Sequence, residues 1–140
     1  MKIIDIIGKD VGMNPQFEKF EHTLENMQKR VKEDGATLDV VRLDGDIDMW
    51  VDDEGLLNGS KPNLLMARNG EVIAQINGNV FFASADEEGE TIGLTDEQKI
   101  CVMHSIRISK GKRLDGTEGF LYILYIDILS DLTSKLIAKA

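Results

Sequence analysis

The chain has 140 residues, 42% of them hydrophobic, which suits one domain with a real core and excludes intrinsic disorder. Its formal charge of −9 repels phosphate backbones and anionic lipid, so direct nucleic-acid and membrane binding are disfavoured and basic proteins are attracted. No apolar run reaches the ~18–20 residues of a membrane span. Met1–Gly8 is too short and too charged for a signal peptide, and the single Cys101 offers no disulfide, so a cytoplasmic protein is expected.

Lys2–Ile7 is apolar on both faces and reads as a central strand. Asn14-Pro15 reads as a helix start, with asparagine as N-cap and proline in the first turn. Phe17, Phe20, Leu24, Met27 and Val31 recur at steps of three and four, which predicts one amphipathic helix over 15–34 ended by Gly35. Its polar side carries Glu18, Glu21, Glu25, Lys29 and Arg30, and His22 is expected to form a solvated pair with Glu18.

Thr37–Leu43 and Asp46–Asp52 flank Asp44-Gly45, a signal for a hairpin with a two-residue turn. That turn pairs Arg42 with Ile47, Val40 with Met49 and Leu38 with Val51 on an inward face. It leaves Asp39, Asp46, Asp48, Trp50 and Asp52 on an outward one. Asn69-Gly70 and Asn77-Gly78 then divide 63–68, 71–76 and 79–84 into a three-stranded meander whose middle strand is expected to be covered on both sides. Thr95 and Gln98 form a capping box opening a helix to about Ile108. After a polar loop over 109–119, Phe120–Ile126 is compatible with a buried strand. The recurrence of Leu121, Leu124, Ile128, Leu132 and Leu136 favours one long helix over 120–139 instead.

The chemistry-bearing residues are sparse. Cys101 and His104 share a helical face, but the cysteine lies past the first turn, where a thiol is a small hydrophobe rather than an activated nucleophile. Two histidines and one cysteine cannot build a zinc site without carboxylates. Asp44-Gly45-Asp46-Ile47-Asp48 resembles the opening of an EF-hand loop, yet Met49 and Gly55 stand where glycine and glutamate are required. Gly8 and Gly12 lack the pattern of a phosphate-binding turn. Lys110, Lys112 and Arg113 form the one basic cluster, read first as a solvated turn. No constellation reaches a catalytic signature, so no enzyme activity, cofactor or metal is expected.

The outward hairpin face is the more informative feature. Alternate strand residues point the same way ~6.6–6.8 Å apart, so Asp46, Asp48 and Asp52 should project together around Trp50, with Asp53 and Glu54 adding charge. Such a row can occupy a channel built for phosphates. It can equally serve as edge charge that blocks aggregation.

From Trp50 onward the stretch Trp-Val-Asp-Asp-Glu-Gly-Leu-Leu, then Pro62-Asn63, Ile76-Asn77-Gly78-Asn79-Val80-Phe81-Phe82 and Leu94-Thr95-Asp96-Glu97-Gln98, resembles a small domain of unknown function. That domain recurs on bacterial phages, plasmids and conjugative elements. The resemblance brings no catalytic residues and covers about a third of the chain. It implies a mobile-element origin, where small acidic proteins often disable host machinery such as CRISPR nucleases or restriction enzymes. The sequence departs from that family in its long 15–34 helix and in residues 109–140.

Together these readings predict a single α+β domain over 1–140, an antiparallel sheet of hairpin plus meander packed by about three helices, with a core over 1–108 and a C-terminal extension over 109–140. The expected function is a protein-binding module that inhibits a basic, nucleic-acid-targeting host effector through Asp46, Asp48, Trp50, Asp52, Asp53 and Glu54. A small-ligand or enzymatic domain using the Gly8–Gly12 turn or Cys101/His104 is the alternative. A self-associating homodimer, joined through the apolar C-terminal segment, is the third.

Overall fold

Two strands buried on both faces over most of their length organise the molecule: β1 (Ile3–Lys9) and β7 (Val80–Ala85) lie side by side inside one sheet. The computed structural model describes residues 2–112, 116 and 118–137. Its first sheet runs β2 (Gln16–Glu21), β1, β7, β4 (Ile47–Asp52), β3 (Leu38–Leu43), with the short β8 (Thr91–Ile92) on the far end of β7. The second runs β6 (Glu71–Asn77), β5 (Pro62–Arg68), β10 (Glu118–Tyr125), β9 (Ile106–Lys112). The helices are α1 (Leu24–Val31), α2 (Asp96–Ser105) and α3 (Ile126–Leu136). Of the ladders, β5–β10 is parallel and the others antiparallel.

Side chains alternate across a strand, so the first sheet feeds two cores. Ile4, Ile6, Phe81 and Ala83 pack with Met27 and Val31 of α1. Ile7, Ile47, Met49, Val80 and Phe82 face the other way and meet Leu64, Met66 and Leu124 of the second sheet, with Cys101, Val102 and Leu129 from α2 and α3. The α+β class and the central position of β1 agree with the sequence expectation, though the sheets are larger than a hairpin plus a meander.

Four expected elements are corrected. The helix over 15–34 is a strand followed by a shorter helix, because the edge of β1 accepts the 16–21 backbone from Ile3↔Glu21 to Gly8↔Gln16. Ladder bonds there override helical spacing. Thr23, not Asn14, caps α1, its hydroxyl accepting from the Asn26 amide at 3.0 Å. The Asp44 hairpin has a three-residue turn with Gly45 and Asp46 at positive φ, so Leu43 pairs with Ile47 and Arg42 with Asp48. That one-residue difference swings Val41 and Leu43 onto the main core and removes Arg42 from it.

The meander is split as well. Asn69-Gly70, both at positive φ, makes the expected tight turn with Arg68 opposite Glu71. After Asn77-Gly78 the chain crosses to the first sheet, because β7 is buried at nearly every position and needs cover on both faces. Left at an edge, β6 exposes Val72 and Ile73 instead of being enclosed.

The long helix over 120–139 is also replaced. Phe120–Tyr125 is rich in aromatic and β-branched residues, finds an open edge on β5, and becomes the strand between β5 and β9, while α3 begins only at Ile126. The tail end of that expected helix, 138–139, lies outside the described residues. The capping box is present as expected, but α2 stops at Ser105 and β9 takes over. Gln98 Nε2 also donates to the Gly45 carbonyl and Ser84 Oγ, tying the helix start to the hairpin turn.

The 109–140 segment therefore supplies a central strand and the buried Leu124 and Leu129. A chain ending at Ile108 is expected to lose cooperative unfolding, since each of those leucines alone is worth roughly 2–5 kcal/mol against a total of about 5–15 kcal/mol. Urea denaturation followed by circular dichroism checks this, and a sigmoidal transition with the full-length midpoint would refute it.

A charged clasp fastens α1 across the sheet. Arg30 donates to both Glu18 oxygens at 2.8 Å and to Asp10 Oδ1 at 2.6 Å. Burial disfavours the guanidinium, yet its bonds to Glu18 and Asp10 hold the pKa above the ordinary arginine value. Glu18 thus pairs with Arg30 rather than with His22. A Cβ on Gly8 would stand 2.0 Å from Arg30 Nη2 and 2.6 Å from Glu18 Oε1, so any larger residue there must push the ends of the clasp's side chains aside. Gly8→Ala should destabilise by about 1–3 kcal/mol. In an Arg30→Ala background that cost should shrink, a coupling measurable by a double-mutant cycle.

Candidate functional site

The six acidic-face residues do not form one exposed row. Asp46 is exposed in the turn before β4, whereas Asp53 and Glu54 follow its other end, ~17–20 Å away for six residues at ~3.4 Å each. Asp48 and Asp52 are buried, at 5% and 8% exposure. The expectation of an exposed carboxylate row is corrected accordingly: β4 pairs with β3 on one side and β7 on the other, and neither of its faces is open. Burial pushes the Asp48 carboxyl up, opposed by Arg42 across the ladder and reinforced by Asp46. Trp50 stacks on Phe81 at 6.4 Å and packs into the α1 core, where its Nε1 has no hydrogen-bond partner.

Asp52 has a structural task. Its Oδ1 accepts from the Glu54 amide at 3.0 Å and its Oδ2 from Asn58 Nδ2 at 2.8 Å. Asn58 Oδ1 in turn accepts from the amide and hydroxyl of Ser60. Gly55 presses against the Asn77 carbonyl, where a Cβ would sit 2.6 Å from the oxygen. The loop 53–59 is thereby pinned at both ends, and at its tip Leu56 and Leu57 are 66% and 89% exposed. At the opposite end of the hairpin, the Ala85 amide donates to the Asp46 carbonyl, which places the 86–90 acidic loop near the Asp44–Asp46 turn.

The least expected residue is Lys9, which is wholly buried at the end of β1. Its Nζ donates to Asn63 Oδ1 at 2.6 Å and to the Asp10 carbonyl at 2.7 Å, and lies 3.8 Å from the centre of the Tyr122 ring. Asn63 is itself buried, and its amide hydrogens go to the carbonyls of Lys9 and Gly78. A buried ammonium is tolerable only with this many partners. Beside it an open groove of about 760 Å³ runs between the Val11–Gly12 turn, β5 and β10. Sequence spacing gave no signal for Lys9, since a lysine ending an apolar strand ordinarily reaches solvent.

The remaining candidates come apart. Cys101 is buried in the main core and burial pushes its thiol up, while His104 is exposed on the same helix. Gly8 serves the Arg30 clasp, and Gly12, at φ +75°, shapes the groove edge. Among the described residues no group of three or more His, Cys, Asp or Glu side chains converges to hold a metal ion. Arg113 of the basic cluster lies outside the described residues, and no described helix is long and apolar enough to cross a membrane.

Burial pushes the Lys9 pKa down to about 8, with Asp10 opposing. The unfolded chain holds that proton up to the ordinary value near ~10.5. Between those values the unfolded state binds more protons than the native one, so stability rises with pH through this window and is lowest below it. The rise should be roughly 3 kcal/mol, at 1.36 kcal/mol per pH unit. Lys9→Met should abolish it, as measured by the wild-type minus variant difference in urea stability from about pH 7.5 to pH 10. Parallel curves for the two proteins would show that Lys9 does not titrate there.

The chain belongs to the family of domains of unknown function DUF3846, whose model matches residues 1–107. The match agrees with the resemblance seen from Trp50 to Gln98 and takes in the first sheet, α1, α2 and the β5–β6 hairpin. It stops before β10 and α3, which complete the second sheet and the main core. No curated protein and no solved structure matches the chain.

Proposed function

We propose that this chain is a protein-binding module that docks a basic partner through the loop 53–59. The observation that carries this reading is the pair Leu56 and Leu57, displayed side by side on a loop whose base is pinned by Asp52, Asn58 and Gly55. Large apolar side chains held in water lose free energy that a partner's socket returns, at about 25 cal/mol per Å² covered. A loop already fixed gives up little further conformational freedom on docking. Asp53 and Glu54, both exposed, provide an anionic rim beside that apolar tip.

The net charge of −9 selects a cationic partner and speeds its approach, with Asp44, Asp46 and the 86–90 loop adding to the field from the other end of the hairpin. Within that class the proposed target is a host nucleic-acid-targeting effector, whose positively charged channel suits an acidic protein, and the proposed origin is a phage or another mobile element. Asp46, Asp53 and Glu54 remain contact residues in this reading. Asp48, Trp50 and Asp52 support them from inside.

The test compares three immobilised baits in bacterial lysate: wild type, Leu56→Ser/Leu57→Ser, and Asp53→Lys/Glu54→Lys. Asp48 is left untouched because charge reversal there would strike the core. Wild type should retain a basic protein that both variants lose, with affinity for the purified partner falling at least about tenfold, or 1.4 kcal/mol, while melting is unchanged. Equal retention by all three baits would overturn the proposal.

A further inference from the structure

The groove beside Lys9 has the size and lining of a small-molecule site rather than of a protein-docking face. Its volume of about 760 Å³ falls within the ~300–1,000 Å³ usual for ligand pockets. Val11, Leu65 and Tyr122 make apolar walls, and Phe120 stands 63% exposed at its edge. An aromatic left in water beside a concave apolar surface is what a ligand's body would cover.

Its charge runs against the rest of the protein. In a chain of net charge −9, the charged side chains lining this groove, among the described residues, are Lys61 and Lys112, with no carboxylate. Glu118, cross-strand from Lys112, lines the smaller adjoining hollow, which Lys112 also borders. Behind the lining residues Asn63 and Tyr122 lies a third cation, the buried Lys9. Lys9 spends two of its N–H donors on Asn63 and the Asp10 carbonyl, and the Tyr122 ring covers it from the groove side. The Tyr122 hydroxyl donates in turn to the exposed Asn14 at 3.0 Å, a contact that sets the ring's tilt over the lysine. Polar groups this deeply buried and mutually satisfied are ordinarily retained for a purpose other than stability, because apolar residues there would cost less.

We infer that this groove binds a small amphiphilic anion, its apolar body lying against Tyr122, Phe120 and Leu65 and its anionic group meeting Lys61 and Lys112, with the buried Lys9 behind the Tyr122 wall. Charge complementarity selects an anion, and the apolar walls exclude a bare inorganic one. The two sources of such chemistry are an acyl carboxylate and a nucleoside monophosphate, whose base would stack on the aromatic rings. The inference is independent of the 53–59 loop, so either proposal can fail alone.

The probe is 8-anilinonaphthalene-1-sulfonate, an aromatic anion whose fluorescence rises in apolar surroundings, titrated into the full-length folded protein. A saturable single site is expected. Lys61→Glu and Phe120→Ser should each weaken it about tenfold, and as both residues are exposed, urea unfolding should be unchanged. Displacement by laurate assigns an acyl carboxylate, and displacement by adenosine monophosphate assigns a nucleotide. The Leu56→Ser/Leu57→Ser variant should bind the probe as wild type does. Non-saturating fluorescence, or equal binding by wild type, Lys61→Glu and Phe120→Ser, would overturn the inference.

Discussion

Everything in this molecule follows from the requirement that β1 and β7 be covered on both faces. Ile6 and Ile7, or Phe81 and Phe82, are neighbours in sequence that point into opposite cores, and all four are completely buried. A single layer of helices cannot satisfy such strands. One face takes α1, and the other takes an entire second sheet together with α2 and α3. The cost of leaving either face wet, at about 25 cal/mol per Å², forces β7 out of the meander it would otherwise complete. It also gives residues 118–136 a role in the main core, although the family match ends at 107.

The same constraint generates the polar centre. Because β1 runs on past Gly8 into the space beside the second sheet, the side chain at position 9 has no route to water along the strand. A lysine there is held by an asparagine from β5, a backbone carbonyl and the face of a tyrosine from β10. Those elements also border the groove, so the buried charge and the surface concavity share a single construction. The Arg30 clasp is its counterpart on the α1 side, where Gly8 yields room for a guanidinium bonded to two carboxylates.

Charge count and charge placement separate clearly. The acidic residues around the hairpin are consecutive or alternate in sequence, yet their fates diverge: Asp48 enters the protein interior, Asp52 builds a loop, and Asp53 and Glu54 reach solvent. A three-residue turn in place of two moved Arg42 opposite Asp48 and turned the β3 hydrophobics inward. Period-two patterning cannot see such a slip, because it leaves the alternation within each strand intact.

What the sequence by itself determined was local and chemical: the Thr95/Gln98 capping box, the Asn69-Gly70 turn with its Arg68–Glu71 pair, a strand over Lys2–Ile7 that the structure carries on to Lys9, and an α+β domain of net charge −9. These are legible because a cap or a tight turn is satisfied by neighbours a few residues away. The rest was decided at long range. Gln16–Glu21 and Phe120–Tyr125 each suit two conformations, and only an unpaired sheet edge, β1 for one and β5 for the other, made the strand the lower free energy. Lys9 is invisible for the same reason: its side-chain partners stand 54 and 113 positions further along the chain, and only the packed sheets bring a lysine, Asn63 and Tyr122 to one point.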